Sequence, residues 1–496
     1  MNDKNKMKTI KKIFLVLLGL VLVVVLAVFA FYQFENYTGR KAWEKYVKEC
    51  GGWVEGIEAE KFADPTSSPR TKNYIWLKDI LPPPVDEDKN FAALPFWEVV
   101  LADTKTLTDE QKQLKKEWEQ FIPGKDFDYY VFAHWDKPRR AGVNLENGYK
   151  TKEEAVQALG EQLKAGEAFY KELQDELRRR PQCRYPVKTA GEDELEIRHL
   201  AALKSISLYA AAHAYFQMEQ KQNKAAVEDV LFLLDLSDTL AREPFMISQL
   251  VHIVLISQPL AVIWEGIEAD LWTDEDLQTL QERLAKVDLW NDMRLSLMGE
   301  RAYANELLVG SKNKSYPLPE WNRLYPKGWY YRGVLEMNLM TDAFLDTMDR
   351  EEQHFKPMFA EIMKTYDYYQ YSGRARNALV IHAFPPLKNY FVRLAYTQFT
   401  VNAAQIACAL ERYRHQNDRY PASLKALRDL MPEDQIPRDW VTDKIPQIRQ
   451  TDTGYILWSN GWDRADDQGK KAYTKNEKGQ EIPDRSQGDW VWEIAR

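Results

Sequence analysis

Residues 194–220 read ELEIRHLAALKSISLYAAAHAYFQMEQ, and after a short polar break residues 224–242 read KAAVEDVLFLLDLSDTLAR. Both runs are rich in alanine and leucine, and both exceed the ~10–12 residues above which an apolar run favours a helix over a strand. Pro244 opens a third helix to about Glu265. Thr273 with Asp276 makes an N-terminal cap for a fourth, ending near Val287. Helices joined by such short loops pack as antiparallel hairpins. The fold class expected is therefore mainly α, built of stacked antiparallel helical hairpins.

Working outward, helix signals continue on both sides. Thr151 with Glu154 caps a helix that Pro181 stops, and Arg178, Arg179 and Arg180 suit the negative end of its dipole. Thr108 with Gln111 caps another to about Phe121. Further helices are expected at Val334–Tyr366 and Pro386–Gln416. Between them, Pro82-Pro83-Pro84 forces an extended strap. Near the start, Trp43, Tyr46, Val47 and Cys50 recur at helical spacing, so a first helix after the apolar run is expected at about Lys41–Glu49.

Ile13 to Tyr32 is twenty residues without a charge, preceded by Lys4, Lys6, Lys8, Lys11 and Lys12. At ~1.5 Å per residue such a helix crosses the ~30 Å hydrocarbon core. A lysine-rich flank stays cytoplasmic. A single-pass anchor in the inner (cytoplasmic) membrane follows, with the bulk of the chain on the periplasmic side. Tyr32, Phe34 and Tyr37 stand where an interfacial aromatic belt belongs. A cleaved signal peptide is the competing reading, with Val28-Phe29-Ala30 as its cut site, but the run is longer than the ~7–15 residues usual there. Leu250–Ile263 is also apolar, yet His252, Ser257, Gln258 and Pro259 interrupt it.

Five lysines and one aspartate give residues 1–12 a charge of +4, so the rest of a chain at −8 carries −8 − 4 = −12. That balance argues against a nucleic-acid partner, which needs basic surface to displace counterions. Cys50, Cys183 and Cys408 are too few for a disulfide scaffold. Outside the cytoplasm Cys50 and Cys183 are the expected pair, because Cys408 sits on an apolar helix face.

Motifs for catalysis are sparse. The seven histidines include no HExxH pair, and no G-x-S-x-G elbow or phosphate-binding glycine loop occurs. His199 and His213 share a helix face about four turns apart, too far to share a metal. Glu300-Arg301-x-Tyr303 reads as a polar patch on a helix. Trp321, Tyr325, Trp329, Tyr330 and Tyr331 lie among three prolines. They either line a sugar or peptide groove or pin a loop over the helices.

After Ala409-Leu-Glu-Arg-Tyr-Arg come Asp418-Arg-Tyr-Pro-Ala-Ser-Leu-Lys-Ala-Leu427, Gly454 to Asp463, Asp466-Asp467 and Gly488-Asp-Trp-Val-Trp492. Alternation at Tyr455–Ser459 and Asp489–Trp492 reads as short strands. The order resembles the C-terminal domain of type II secretion major pseudopilins over about Tyr390 to Ile494. The resemblance implies a long helix leading into a small antiparallel sheet with a calcium-binding acidic loop, and it places Asp463, Asp466, Asp467 and Asp489 in that loop. The apolar run, however, lies about 350 residues upstream and Met7–Lys12 lacks a prepilin cleavage motif, so the module would be reused as a folded unit. As a whole the chain is similar to membrane-anchored proteins of planctomycete and verrucomicrobial bacteria, a resemblance that implies no particular activity.

The chain thus divides into a basic tail (1–12), an apolar span (13–34), a mixed segment with the proline strap (35–150), a helical domain (151–385) and an α+β module (386–496). The function expected is that of an anchored interaction or scaffold protein of the cell envelope, with an envelope protein or glycan as partner. A glycan-active hydrolase or glycan-binding protein is the alternative.

Overall fold

A computed structural model describes residues 2–49, 80, 84–102, 106–113, 115, 130–131, 142–143, 151–186, 197–305, 325–349, 351–371, 387–476, 479 and 481–496. The helices run in the order α1 (Asn2–Glu49), α2 (Pro95–Leu101), α3 (Lys152–Arg179), α4 (His199–Glu219), α5 (Asn223–Asp238), α6 (Met246–Glu268), α7 (Asp274–Leu284), α8 (Leu289–Asn305), α9 (Lys327–Thr347), α10 (Phe359–Tyr371) and α11 (Leu387–Asn417). A two-residue ladder joins β1 (Tyr130–Val131) to β2 (Gly142–Val143).

Local chemistry sets the helix starts. Thr151 accepts from the Glu154 N–H at 3.2 Å to cap α3, and Thr273 and Asp276 form a reciprocal capping box on α7. Thr108 and Gln111 make the same exchange at 3.2 and 3.0 Å. The expected extent of that helix to Phe121 lies outside the described residues. No local side chain caps α6. The Glu300 carboxylate reaches from α8 to accept from the Met246 N–H at 2.9 Å.

Burial explains the stacking. In α4 the small side chains Ala210, Ala211, Ala212 and Ala214 are fully buried, so neighbouring helices approach closely on several sides. Helix α4 packs on α5 and α6, α5 packs on α6, and α11 packs on α6 and α7. By length and composition α6 is apolar enough to cross a membrane, but it is mostly buried. It is a core helix, and Pro259 within it is buried.

Helix α11 is buried from Leu387 through Glu411 on almost every side. It carries the C-terminal sheet, in which β4 (Gly454–Ser459) pairs antiparallel with β3 (Gln447–Gln450) and with β7 (Trp490–Ala495). Leu457 faces Trp492, and Trp490 packs on Tyr396 and Phe399 of α11. Strands β5 (Lys471–Lys475) and β6 (Glu481–Gly488) form a separate hairpin. The chain is mainly helical with a small antiparallel sheet at its C-terminal end. One continuous core crosses position 385, joining the helical hairpins to the sheet.

The main departure from expectation lies at the beginning. The helix anticipated at Lys41–Glu49 is no separate element, because α1 runs unbroken from Asn2 to Glu49. Its second half docks along α9. A Cβ on Gly328 would lie 1.8 Å from the Glu35 carbonyl oxygen, and one on Gly39 would lie 2.2 Å from that of Gly328. Glycine at both crossing positions lets the two backbones touch. Farther along, Trp43, Tyr46 and Val334 bury one another in a small second core.

Gly328→Ala should therefore force the two helices apart. A loss of about 1–3 kcal/mol in unfolding free energy is expected, in the range of overpacked contacts. Urea unfolding of the full chain in detergent measures it, and an unchanged midpoint would show that the crossing is not tight.

Candidate functional site

The residues singled out in the sequence are placed as follows. Trp321 lies outside the described residues. Tyr325, Trp329, Tyr330 and Tyr331 surround the start of α9. Trp329 donates its indole N–H to Glu35 at 3.1 Å, stacks near Tyr325 at 5.2 Å and meets Phe31 edge-on at 6.4 Å. Tyr331 packs against the Trp43–Tyr46–Val334 cluster. These four rings gather at the α1 crossing, and at least two of them are used in holding it.

Three of the four aspartates pin loops, and Asp467 is exposed. Asp463 accepts from the N–H groups of Ala465 (2.9 Å) and Gly488 (2.8 Å). Asp466 accepts from Gln468 N–H (3.0 Å), the Trp458 indole (3.2 Å) and Gln447 (3.3 Å), and the Gln468 N–H leads the interactions that hold its carboxyl low. Asp489 accepts from Gly469 N–H at 2.6 Å, while its other oxygen is buried without a hydrogen-bond partner. Burial, with the nearby charges of Asp466 and Asp467, pushes the Asp489 carboxyl up. No three of the four bring an oxygen within 4.8 Å of one another. Calcium takes six to eight oxygens, so loop carbonyls would have to supply most of its shell here.

Two other groups, Asp270–Glu411–His415 and Glu352–His354–Asp443, have the proximity a metal needs. The first is already neutralised. Glu411 receives Arg414 and Arg496, both at 2.9 Å, and the Tyr420 hydroxyl at 2.9 Å. Asp270 pairs with the same two arginines. In the second, Asp443 pairs with Arg438 at 2.7 Å.

A pocket of about 450 Å³ lies between the segment at Glu87–Ala93, the stretch after α3 and the loop before α6. Asn90 builds its wall, accepting from the N–H groups of Ala92 (3.1 Å) and Arg184 (3.0 Å). Phe91 donates its N–H to the Gln182 carbonyl at 2.8 Å, sealing the strap to the segment after α3. Cys183, Tyr185, Arg242 and Glu243 complete the lining. Behind them Tyr185 stacks on His199 at 4.3 Å and 12°. His199 Nε2 lies 2.7 Å from Glu243 Oε1. That approach misses hydrogen-bond geometry, so it is a close polar contact in which neither group gains a directed bond. Cys183 carries a free thiol, and its expected partner Cys50 lies outside the described residues. Burial pushes that thiol up, so it is held protonated and is no nucleophile at neutral pH. The pocket has the means to hold a small polar molecule and lacks an activated attacking group.

The interior carries further polar groups. His213 meets Asp229 at 2.7 Å, and the Tyr170 hydroxyl donates to the same carboxylate at 2.8 Å. Burial raises Asp229 while these bonds oppose it. On α8, Asp292, Ser296 and Glu300 recur every fourth residue on one face. Ser296 shares a hydrogen with Tyr390 of α11 at 2.5 Å, and Asp292 lies 3.6 Å from His252. Burial draws His252 down to about 3, so the ring is neutral and its Nδ1 can donate to Gln249 (3.1 Å). Burial also pushes Glu300 up to about 7. Sequence spacing showed Glu300 on a helix face. It gave no sign that the carboxyl turns inward to cap α6.

No family model matches the chain, and no curated protein or solved structure matches it.

Glu300 generates a pH dependence. The folded state keeps its proton to pH about 7, whereas the unfolded chain releases it near the ordinary glutamate value of 4.5. Between those values the folded state binds more protons, so its contribution to stability falls as pH rises. Glu300→Gln keeps an oxygen for Met246 and removes that fall, so it should stabilise the protein at pH 8 by about 1–3 kcal/mol and leave pH 4.5 little changed. Parallel denaturation curves at both pH values would exclude this assignment.

Proposed function

We propose that the chain is a membrane-anchored interaction or scaffold protein of the cell envelope, its helical body held outside the cytoplasm. The single observation that carries this is the continuity of α1. The side chains from Ile13 to Phe29 that are large and apolar are all more than half exposed, so the described residues leave the apolar run uncovered. The same helix then enters the body as a docked strut. Exposed apolar surface on that scale belongs in lipid, and five preceding lysines favour a cytoplasmic start.

The body offers what a scaffold needs. Its core is closed, its charged clusters are internally paired, and large aliphatics remain exposed at Leu208 on α4, Ile247 and Val254 on α6, and Leu339 on α9. These are points where a protein partner gains burial. A glycan platform needs free rings, whereas Trp329 gives its indole N–H to Glu35 of α1 and Tyr331 packs against the Trp43–Tyr46–Val334 cluster.

Cysteine mapping tests the topology. In intact cells, a membrane-impermeant maleimide should label Asp434→Cys and should label Lys8→Cys only after lysis. The reverse pattern would overturn the assignment. Photo-crosslinkers at Leu208, Ile247 and Val254 should give discrete adducts whose formation saturates, and smears or bare monomer at all three would remove the scaffold role.

A further inference from the structure

The start of α9 sits at the foot of the body. Contacts along the crossing climb both helices together: Asn36 accepts from Gly328 N–H at 2.9 Å, Arg332 donates to Thr38 at 2.6 Å, and Tyr46 donates to Asp342 at 2.9 Å. The two helices are therefore parallel, and their N-terminal ends point the same way. The ~20 residues that span the hydrocarbon run from Ile13 to Tyr32. Trp329 touches both Phe31, the last turn of that span, and Glu35, the first charge after it. Its ring is thus level with the boundary between hydrocarbon and water. Tyr325 packs on Trp329, Tyr330 is half-buried beside them, and Lys327 is exposed. Amphipathic rings with a basic side chain are the chemistry of a membrane interface.

We propose that Tyr325 to Tyr330 form an interfacial foot, resting on the lipid headgroups beside the emerging anchor and fixing how the body stands on the membrane. This rests on the anchor reading above. The occupant is the lipid surface itself, because the segment is continuous with the helix that crosses it. The foot adds a second point of contact to a single-pass protein. One helix alone leaves the body free to tilt, and two contacts separated by the width of a helix pair restrict that tilt. It also gives a use to the rings at this place, where Tyr325 and Tyr330 are only half-buried.

Depth-dependent quenching tests the foot apart from the anchor. Full-length protein with Cys50→Ser, Cys183→Ser and one added cysteine at Leu22, Lys327 or Leu339 is labelled with an environment-sensitive dye in lipid nanodiscs; Cys408 is fully buried. Lipids carry a nitroxide either at mid-chain or just below the headgroup. The Leu22 label should lose emission to the mid-chain nitroxide. The Lys327 label should be quenched by the shallow nitroxide, with a blue-shifted spectrum. The Leu339 label, ~18 Å farther along α9, should keep its emission. A quenched Leu22 label with an unquenched Lys327 label overturns the foot and leaves the anchor standing. Equal quenching at Lys327 and Leu339 overturns it too, since the body would then lie flat. An unquenched Leu22 label removes the anchor, and the foot with it.

Discussion

Burying α11 is the constraint on which the rest of the molecule depends. A helix enclosed over six turns cannot leave polar side chains without partners, and the polar residues along it turn that requirement into cross-links. Thr397 and Thr400 donate back to the carbonyls one turn below. Gln398 accepts from Leu289 N–H at 3.1 Å, capping α8 from another helix, and donates to Asn402 at 2.8 Å. Glu411, one of the most buried carboxylates described, holds Arg414, Arg496 and Tyr420. Through Arg496, which also donates to the Ile267 carbonyl at 3.1 Å, the last strand is tied to the end of α6. The helical hairpins and the sheet thus share one face, and neither closes without it.

What the sequence revealed and what it concealed follow the range of the interactions involved. Caps at Thr151 and Thr273 were legible because both partners lie within three residues. The hairpin order of α4 to α7 was legible from composition and break residues. The strands at Tyr455 and Trp490 were legible from alternation. The crossing of α1 and α9 was not, because its partners are separated by 292 to 296 positions. Gly39 and Gly328 carry no signal of their own in the sequence, and only their apposition gives them a role. The same applies to the strap pocket, where Asn90 bridges to Arg184 across 94 positions. The aromatic segment was found for its composition, while its use depends on a helix three hundred residues away.

The buried charges bear on function mostly by what they exclude. A desolvated ion pair seldom adds net stability, yet losing one partner costs several kcal/mol. Arg301 and Asp342, 2.8 Å apart and fully enclosed, show the consequence. Their geometry is completed by Tyr46 from α1, which donates to the other carboxylate oxygen. The ion pair therefore specifies where the strut docks, because any register that moved Tyr46 away would leave that oxygen dry and unbonded. His213 with Asp229 and the pairs on Glu411 are closed in the same manner. Groups satisfied so fully by their own neighbours have little capacity left for a substrate.

Continuity of the first helix has a mechanical meaning. A flexible linker between the apolar run and the body would let the body sample all orientations within its reach. Here the residues that follow the apolar run are helical and packed, so tilt and rotation of that run are passed to the body without slack. Rotation about the α1 axis is opposed at three levels, by Asn36 on the Gly328 N–H, by Thr38 on Arg332 and by Tyr46 on Asp342. The lowest and the highest are ~15 Å apart along α1. Separating them all requires exposing Trp43, Tyr46 and Val334 to water. A protein built this way ties the heading of its body to that of its first helix.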